Sequence, residues 1–276
     1  MYIEKSAKIL SRYRNGEFYM KRMVVKVGTS TLTYDTGLIN LRRIEVLSRV
    51  LCDLKNSGIQ PILVSSGAIG VGVGKLGLPK RPDTTMGKQA AAAVGQVELM
   101  KIYSKLFGEY GASVAQVLLT KYVIDGAERE NNAKNTFETL IDLGVVPIVN
   151  ENDTIVTYEI EFGDNDSLSA YVAHVVNADM LVILSDIDGL YDSDPRTNQD
   201  AQLISHVDKV TDDLLSIAGG SGSNRGTGGM LTKLNAVSFV NKFGCDAVIA
   251  NGENPEILYD IAAGRPRGTF FKGEKK

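Results

Sequence analysis

Six short segments of this chain combine residue types that can bind and move an anionic group. Lys26-Val27-Gly28-Thr29-Ser30 closes an apolar run. A lysine at the end of a buried strand needs an anionic partner, because an unpaired buried ammonium is costly. That partner is either a structural carboxylate or a bound ligand, and the glycine lets backbone approach a ligand closely. Ser65-Ser66-Gly67-Ala68-Ile69-Gly70 carries a strand into a helix through small residues. The free N–H groups and dipole of such a helix start favour an anion, with plain serine capping as the alternative. Asn150-Glu151-Asn152-Asp153 directly follows Val145–Val149, and Gly163-Asp164-Asn165-Asp166 opens a helical stretch. One Asx residue there would serve as a cap; three in a row exceed that need. Ser185-Asp186 closes the run Leu181–Leu184.

The sixth segment is Gly226-Thr227-Gly228-Gly229-Met230-Leu231-Thr232-Lys233. Its glycines allow a nest of backbone N–H groups around phosphate, and Lys233 falls one turn into the helix that follows. The Gly-Lys-Ser/Thr adjacency of a Walker A loop is absent. Gly72-Val73-Gly74-Lys75-Leu76-Gly77 matches the dinucleotide pattern GxGxxG, but no strand directly precedes it. Pro79 and Pro82 bar the helix that the motif requires after it, so it is a chance match. Histidine is scarce: His174 falls in a helical run as a packing or surface residue, and with only His206 besides a Ser-His-Asp triad is a poor fit.

Positioning these segments requires strands that alternate with helices. Apolar runs at Met23–Val27, Pro61–Val64, Val114–Leu119, Val145–Val149, Met180–Leu184 and Ala247–Ala250 predict strands. Leu41, Ile44, Leu47, Leu51 and Leu54 recur at helical spacing, with Asn40 to cap the start and Gly58 to close the end. Further helices are expected over Lys88–Phe107, Asn131–Leu143, Ser167–Asn177, Asp212–Ala218 (capped by Thr211) and Met230–Phe243, and a hairpin over Thr154–Phe162. The expected fold class is α/β: a three-layer sandwich whose mostly parallel central sheet is covered by helices on both faces. Ligands of such sheets bind at the carboxyl ends of the strands, where the chemistry-bearing residues fall.

The chain has 276 residues, 43% hydrophobic and 23% charged, with a formal net charge of −3. This composition fits a globular protein in one domain with two lobes. A net acidic chain without a clustered basic face argues against a nucleic-acid partner. Cys52 and Cys245 form no CxxC pair, so each is expected to be a small buried apolar residue rather than part of a disulfide or zinc site. No apolar run approaches the roughly 20 residues of a membrane helix. The charged start lacks a signal-peptide core, so a cytoplasmic location is expected. Residues 1–22 read as a lead-in whose Lys5, Lys8, Arg12 and Arg14 form a solvated basic arm.

The stretches KVGTS at 26–30, SSGAIGVG at 65–72, KQAAAAVGQ at 88–96, VPIVNENDT at 146–154, GDNDSLSA at 163–170, SDIDGLYDSDPR at 185–196 and GTGGMLTK at 226–233 resemble, in order and spacing, the amino acid kinase family. The similarity runs from about Met23 to about Phe271, and its NEND and GDND segments are similar to members that phosphorylate the γ-carboxylate of glutamate. The resemblance implies a single domain spanning 1–276, with an amino-acid-binding lobe over about 23–170 and a nucleotide-binding lobe over about 171–276. It implies that Lys26 and Lys233 contact ATP phosphates while Asp166 organises them. Ser66, Asp153 and Asn165 would bind glutamate, and Gly67 would add a donor beside Ser66. Ser185, Asp186 and the loop Thr227, Gly228, Gly229, Met230, Leu231, Thr232 and Lys233 would bind ATP, with Gly28 at the phosphates. Mg²⁺ would accompany the nucleotide, held mainly by its phosphates rather than by a protein metal site. Proline as a feedback inhibitor and a homo-oligomer, dimer or tetramer, are also implied. Many members continue into a C-terminal PUA domain; this sequence stops at Lys276. The alternatives are a family kinase acting on acetylglutamate or aspartate, or a catalytically silent nucleotide sensor of the same fold.

The reaction implied needs no base to make its nucleophile, because a γ-carboxylate with a pKa of about 4.3 is already ionised at neutral pH. The difficulty is repulsion between two anions, so catalysis must rest on positioning and charge neutralisation. Asp153 is the candidate partner of the substrate ammonium, and the Ser66–Gly67 N–H groups are the candidates for its α-carboxylate.

Overall fold

The computed structural model describes residues 13–14, 17–18, 20–34, 38–123, 126–155, 164–220 and 229–274. Strands β1 (Tyr13–Arg14) and β2 (Glu17–Phe18) pair as a small antiparallel ribbon. The remaining strands are β3 (Arg22–Val27), β4 (Gln60–Ser65), β5 (Val114–Leu119), β6 (Val146–Glu151), β7 (Met180–Ser185), β8 (His206–Val207), β9 (Asp246–Asn251) and β10 (Thr269–Phe271). They form one sheet in the order β5-β6-β4-β3-β7-β9-β10-β8. Every neighbouring pair is parallel except β9 with β10. The first long strand therefore lies inside the sheet. Strands β4, β6 and β5 build out on one side of β3, and β7 and its successors on the other. The chain runs from β3 to one side and returns from β6 to β7 on its other side, and the crevice at such a switch point is where doubly wound sheets bind ligands.

Helices α1 (Thr29–Leu32), α2 (Leu41–Asn56), α3 (Ala68–Lys75), α4 (Thr85–Glu109), α5 (Ala127–Asp142), α6 (Asn165–Val175), α7 (Asp212–Gly220), α8 (Met230–Asn241) and α9 (Ile257–Ala262) connect the strands. Alternation along the strands divides the core into two layers. Val24, Val64, Leu181 and Ile249 face Phe137 of α5, Leu168 and Val172 of α6, and Leu234 and Val237 of α8. Val25, Leu63, Val182 and Val248 face Leu47 and Leu51 of α2, Leu99 and Tyr103 of α4, and Leu258 of α9. Each such side chain taken from water contributes about 1.5–3 kcal/mol. The expected three-layer α/β sandwich is the observed one.

Several boundaries shift for local reasons. Asn40 caps α2 by accepting from the Arg43 N–H, and Gly58 follows its end at φ 99°. Helix α4 begins at Thr85 because Thr84 caps it. Helix α5 begins at Ala127, with Glu128 and Glu130 in a first turn that favours acidic side chains. Helix α6 begins at Asn165 because Asp164 caps it. The short elements α1, β8, α9 and β10 were not expected from the sequence. The GxGxxG stretch is no phosphate loop: Gly72 to Lys75 lie inside α3. A Cβ on Gly72 would stand 1.8 Å from the Ala91 carbonyl oxygen, and one on Gly95 would stand 1.8 Å from that of Ala68. The glycines thus let α3 and α4 cross backbone against backbone.

Of the expected hairpin, Thr154 and Ile155 lie in a turn, and its remainder lies outside the described residues, as do Lys5, Lys8 and Arg12 of the basic arm. Cys52 and Cys245 are buried thiols, and burial pushes the Cys52 thiol up to about 11. His174 packs in α6 with its ring centroid 3.9 Å from that of Phe243. No helix among the described residues is long and apolar enough to cross a membrane.

Candidate active site

The chemistry gathers at the carboxyl ends of β3, β4, β6 and β7. At its centre is Asp166, in the first turn of α6 and fully buried. Lys26 of β3 places its Nζ 2.6 Å from one Asp166 oxygen, and Lys233 of α8 places its Nζ 3.1 Å from the other. Both lysines are themselves buried, 7% and 5% exposed. Burial alone would raise the Asp166 pKa, but the two ammonium groups outweigh it and hold the carboxyl below its ordinary value. Asp166 is therefore ionised at neutral pH and unsuited to act as a general base. The three groups carry a net charge of +1, a standing attraction for an anion.

Sequence separates the lysines by more than two hundred positions; the fold brings them to one carboxylate. Lys26 lies at the switch-point strand on the face that α6 covers. Lys233 is the fourth residue of α8, whose start at Gly229 turns it toward the same place. Thr232 Oγ1 donates to the Gly229 carbonyl at 2.7 Å, tightening that first turn. Gly28 adjoins the cluster: a Cβ there would lie in ordinary contact, 3.7 Å from Lys26 Nζ. Arg43 of α2 donates to the Ser30 and Thr31 carbonyls at 3.3 and 3.2 Å, anchoring the turn after Lys26.

Beside this cluster runs a line of amides. The Asn165 side-chain nitrogen donates to Ser66 Oγ and to Asn150 Oδ1, both at 2.9 Å. Asn150 Oδ1 also accepts from the Glu151 N–H at 2.9 Å, and Asn150 Nδ2 donates to Gln96 Oε1 of α4 at 3.0 Å. Ser66 is followed by Gly67 at φ 103°, a left-handed conformation suited to glycine, from which α3 starts. One expectation is corrected here: the Ser66 N–H already donates to the Val27 carbonyl at 3.0 Å. Its hydroxyl, not its amide, is the donor that Ser66 can offer.

The three consecutive Asx residues have three separate duties. Asp164 caps α6 by accepting from the Ser167 N–H at 2.8 Å, Asn165 joins the amides, and Asp166 holds the lysines. Asp153 is half-buried in the turn that follows β6. On the far side of β3, Ser185 is buried at the end of β7 and donates to the exposed Asp186 at 3.1 Å. Met230 and Leu231 open α8, with Leu231 38% exposed. Thr227 and Gly228 lie outside the described residues, as do Gly163 and Gly226. Gln96 and Arg43 were not singled out from the sequence. Both are polar residues on ordinary-looking helices, and only their tertiary contacts give them away.

A doubly wound sheet with two buried lysines on one carboxylate at its switch point defines an α/β protein with a cationic cluster at its strand ends, where such folds bind ligands. Residues 21–251 match the profile of the Amino acid kinase family. Over 92% of this chain, it is 59% identical to a glutamate 5-kinase of Clostridium perfringens, covering 96% of that protein. It is 54% identical to a glutamate 5-kinase of Listeria innocua, over 93% of this chain and 94% of that one. Among solved structures, UMP kinase from Bacillus anthracis superposes with a TM-score of 0.63 at 16% identity, over 93% of this chain and 97% of that one. An isopentenyl phosphate kinase of T. acidophilum superposes at 0.59 with 19% identity, over 91% of this chain and all of that one. These structural likenesses show a shared fold. The chain belongs to the amino acid kinase family.

Proposed function

We propose that this chain transfers the γ-phosphoryl group of ATP to the γ-carboxylate of L-glutamate. The product is L-glutamyl 5-phosphate, and the step opens proline biosynthesis. The observation that carries the reading is the Lys26–Asp166–Lys233 cluster at the switch point. Two unit charges of like sign 4 Å apart repel by about 4 kcal/mol at an effective dielectric of 20. Two ammonium groups aimed at the transferring phosphoryl can offset a penalty of that size. Asp166 holds both lysine ammonium groups in place, so little reorganisation is needed when charge develops. The glutamate carboxylate is already ionised, which fits a site whose central buried carboxylate, Asp166, is committed to lysines.

In this reading, Asn165, Ser66, Gly67 and Asp153 hold the amino acid on the β4–β6 side. Gly28, Ser185, Asp186 and the segment from Thr227 to Lys233 hold ATP on the β7 side. The lysines and the start of α8 fit a polyphosphate. Mg²⁺, carried on phosphate oxygens, would neutralise part of their charge. Location in the cytoplasm, self-association as a dimer or tetramer, and inhibition by proline belong to the same reading.

An ADP-release assay with Mg-ATP tests it over a panel of glutamate, N-acetylglutamate and aspartate, each with and without proline. Turnover that depends on glutamate is expected. Faster turnover of another acceptor, or ATP binding without turnover of any, would replace it.

A further inference from the structure

We propose that Gln96 is a positioning residue for the amino acid pocket, acting through Asn150 to fix which atoms of Asn165 and Ser66 face the substrate. The inference rests on the glutamate reading above and adds how the pocket tells an ammonium from a carboxylate.

The argument begins from a backbone amide, whose polarity cannot be reversed. The Glu151 N–H can only donate, and it donates to the Asn150 side chain at 2.9 Å. The atom it meets must be Asn150 Oδ1, so the orientation of that amide is fixed by chemistry. Asn150 Nδ2 then needs an acceptor on its other side, and Gln96 Oε1 supplies it at 3.0 Å. Asn150 and Gln96 are 3% and 9% exposed, so water has little access to replace that bond. With its oxygen fixed, Asn150 also accepts from Asn165 Nδ2 at 2.9 Å, and the second Asn165 hydrogen goes to Ser66 Oγ at 2.9 Å.

Both hydrogens of the Asn165 amide are thereby committed, and what it can offer a ligand is its carbonyl oxygen, an acceptor. Ser66 Oγ has taken a hydrogen bond from Asn165, so its own hydrogen is the one it can give. The pocket presents an acceptor at Asn165 and a donor at Ser66, which suits the ammonium and carboxylate of an α-amino acid in one orientation. Helix α4 is built to impose this. Its buried face reads Ala91, Ala92, Gly95, Gln96, Leu99, Tyr103 and Phe107. Its two polar groups there reach neighbouring strand ends: Gln96 to Asn150 on β6, and Tyr103 Oη to Ser65 Oγ on β4, 2.9 Å apart.

Removing the Gln96 acceptor leaves the buried Asn150 NH₂ unpaired, which loosens that amide and with it the hold on Asn165. The test is steady-state kinetics on the full chain for Gln96→Met, which keeps the shape but not the acceptor, and Gln96→Glu, which keeps the acceptor. With Gln96→Met the KM for glutamate should rise about tenfold, with kcat and the KM for ATP within about twofold. Preference for glutamate over glutarate, which lacks the ammonium, should fall with it. Gln96→Glu should restore the KM for glutamate to within about threefold of the wild type.

An unchanged glutamate KM in Gln96→Met overturns the proposal. So does an equal rise in both KM values that Gln96→Glu fails to correct, because that pattern belongs to packing alone. If Gln96→Met does not fold, Gln96→Glu decides: a tenfold rise in its glutamate KM overturns the proposal, and a near-wild-type value supports it. A wild-type chain that turns over no glutamate overturns the substrate reading and this inference together, whereas wild-type turnover matched by Gln96→Met overturns this inference alone.

Discussion

Strand β3 carries a buried cation at each end, and the two are treated in opposite ways. At its start, Arg22 donates through two nitrogens to the two Glu138 oxygens at 2.8 and 2.9 Å and through Nε to Gln60 at 3.0 Å. It also bonds the Val176 carbonyl. The strand's opening amides, Lys21 N and Arg22 N, are held by Asp179 at 3.0 and 2.9 Å. One cation meets one carboxylate in fork geometry, and its charge is closed within the fold. Four residues on, Lys26 shares a single carboxylate with Lys233. The lower arrangement ties strands and helices together; the upper one sets two ammonium groups on one carboxylate, which under the proposed function serves an arriving anion. Burial and ion pairing alone do not separate the two ends; the balance of charge does.

Breaking the upper cluster should give the largest effect. Lys233→Ala is expected to lower kcat by at least about 10²-fold, the scale of losing one preorganised charge-stabilising donor, because Lys26 still neutralises Asp166. An unchanged kcat would remove Lys233 from the mechanism. Asp166→Asn should lose most activity and about 3 kcal/mol of stability, since it leaves two buried ammonium groups without a counter-charge. Denaturant titration beside the kinetic assay reads both. On the amino acid side, Asp153→Ala should raise the KM for glutamate about tenfold while that for ATP stays put. A change confined to ATP would reverse the assignment of the two sides.

The lower clamp should behave differently. Arg22→Met is expected to cost roughly 1–2 kcal/mol, or ~3–6 °C in Tm, with kcat/KM within about twofold in material that folds. A large kinetic loss there would erase the contrast. The smallest effect is shared by both ends. Asp166 and Glu138 are both held below their ordinary pKa: Asp166 by the lysines against its burial, Glu138 by its bonds to Arg22. A lowered folded-state pKa gives stability that is present above the unfolded value and lost as pH falls through the folded one. Tm should therefore hold between pH 7 and 5 and decline below about pH 4, where free Asp and Glu titrate. Thermal melts across that range check it; a Tm that rises on acidification would contradict the sign.

The sequence made the upper cluster legible because Lys26, Asp166 and Lys233 each follow a feature with a period or a punctuation mark. Lys26 closes an apolar run, Asp166 sits in an Asx run at a helix start, and Lys233 lies one turn beyond a glycine cluster. Arg22, Gln96 and Arg43 carry no such mark. A glutamine in an alanine-rich helix looks like any surface residue until the crossing of α4 over the strand ends brings it to Asn150. Elements α1, α9, β8 and β10 span two to six residues, too few for a 3.6- or 2-residue period to declare itself. The packing role of Gly72 and Gly95 was hidden for a further reason: it lies in what touches them across space.

That glycine crossing bears on how the protein can change. Where two main chains meet with no room for a methyl group, Gly72 and Gly95 cannot be traded for larger residues. New acceptor preferences are more readily gained around Asn152 to Ile155, where the chain turns at the surface and a substitution need not push two helices apart.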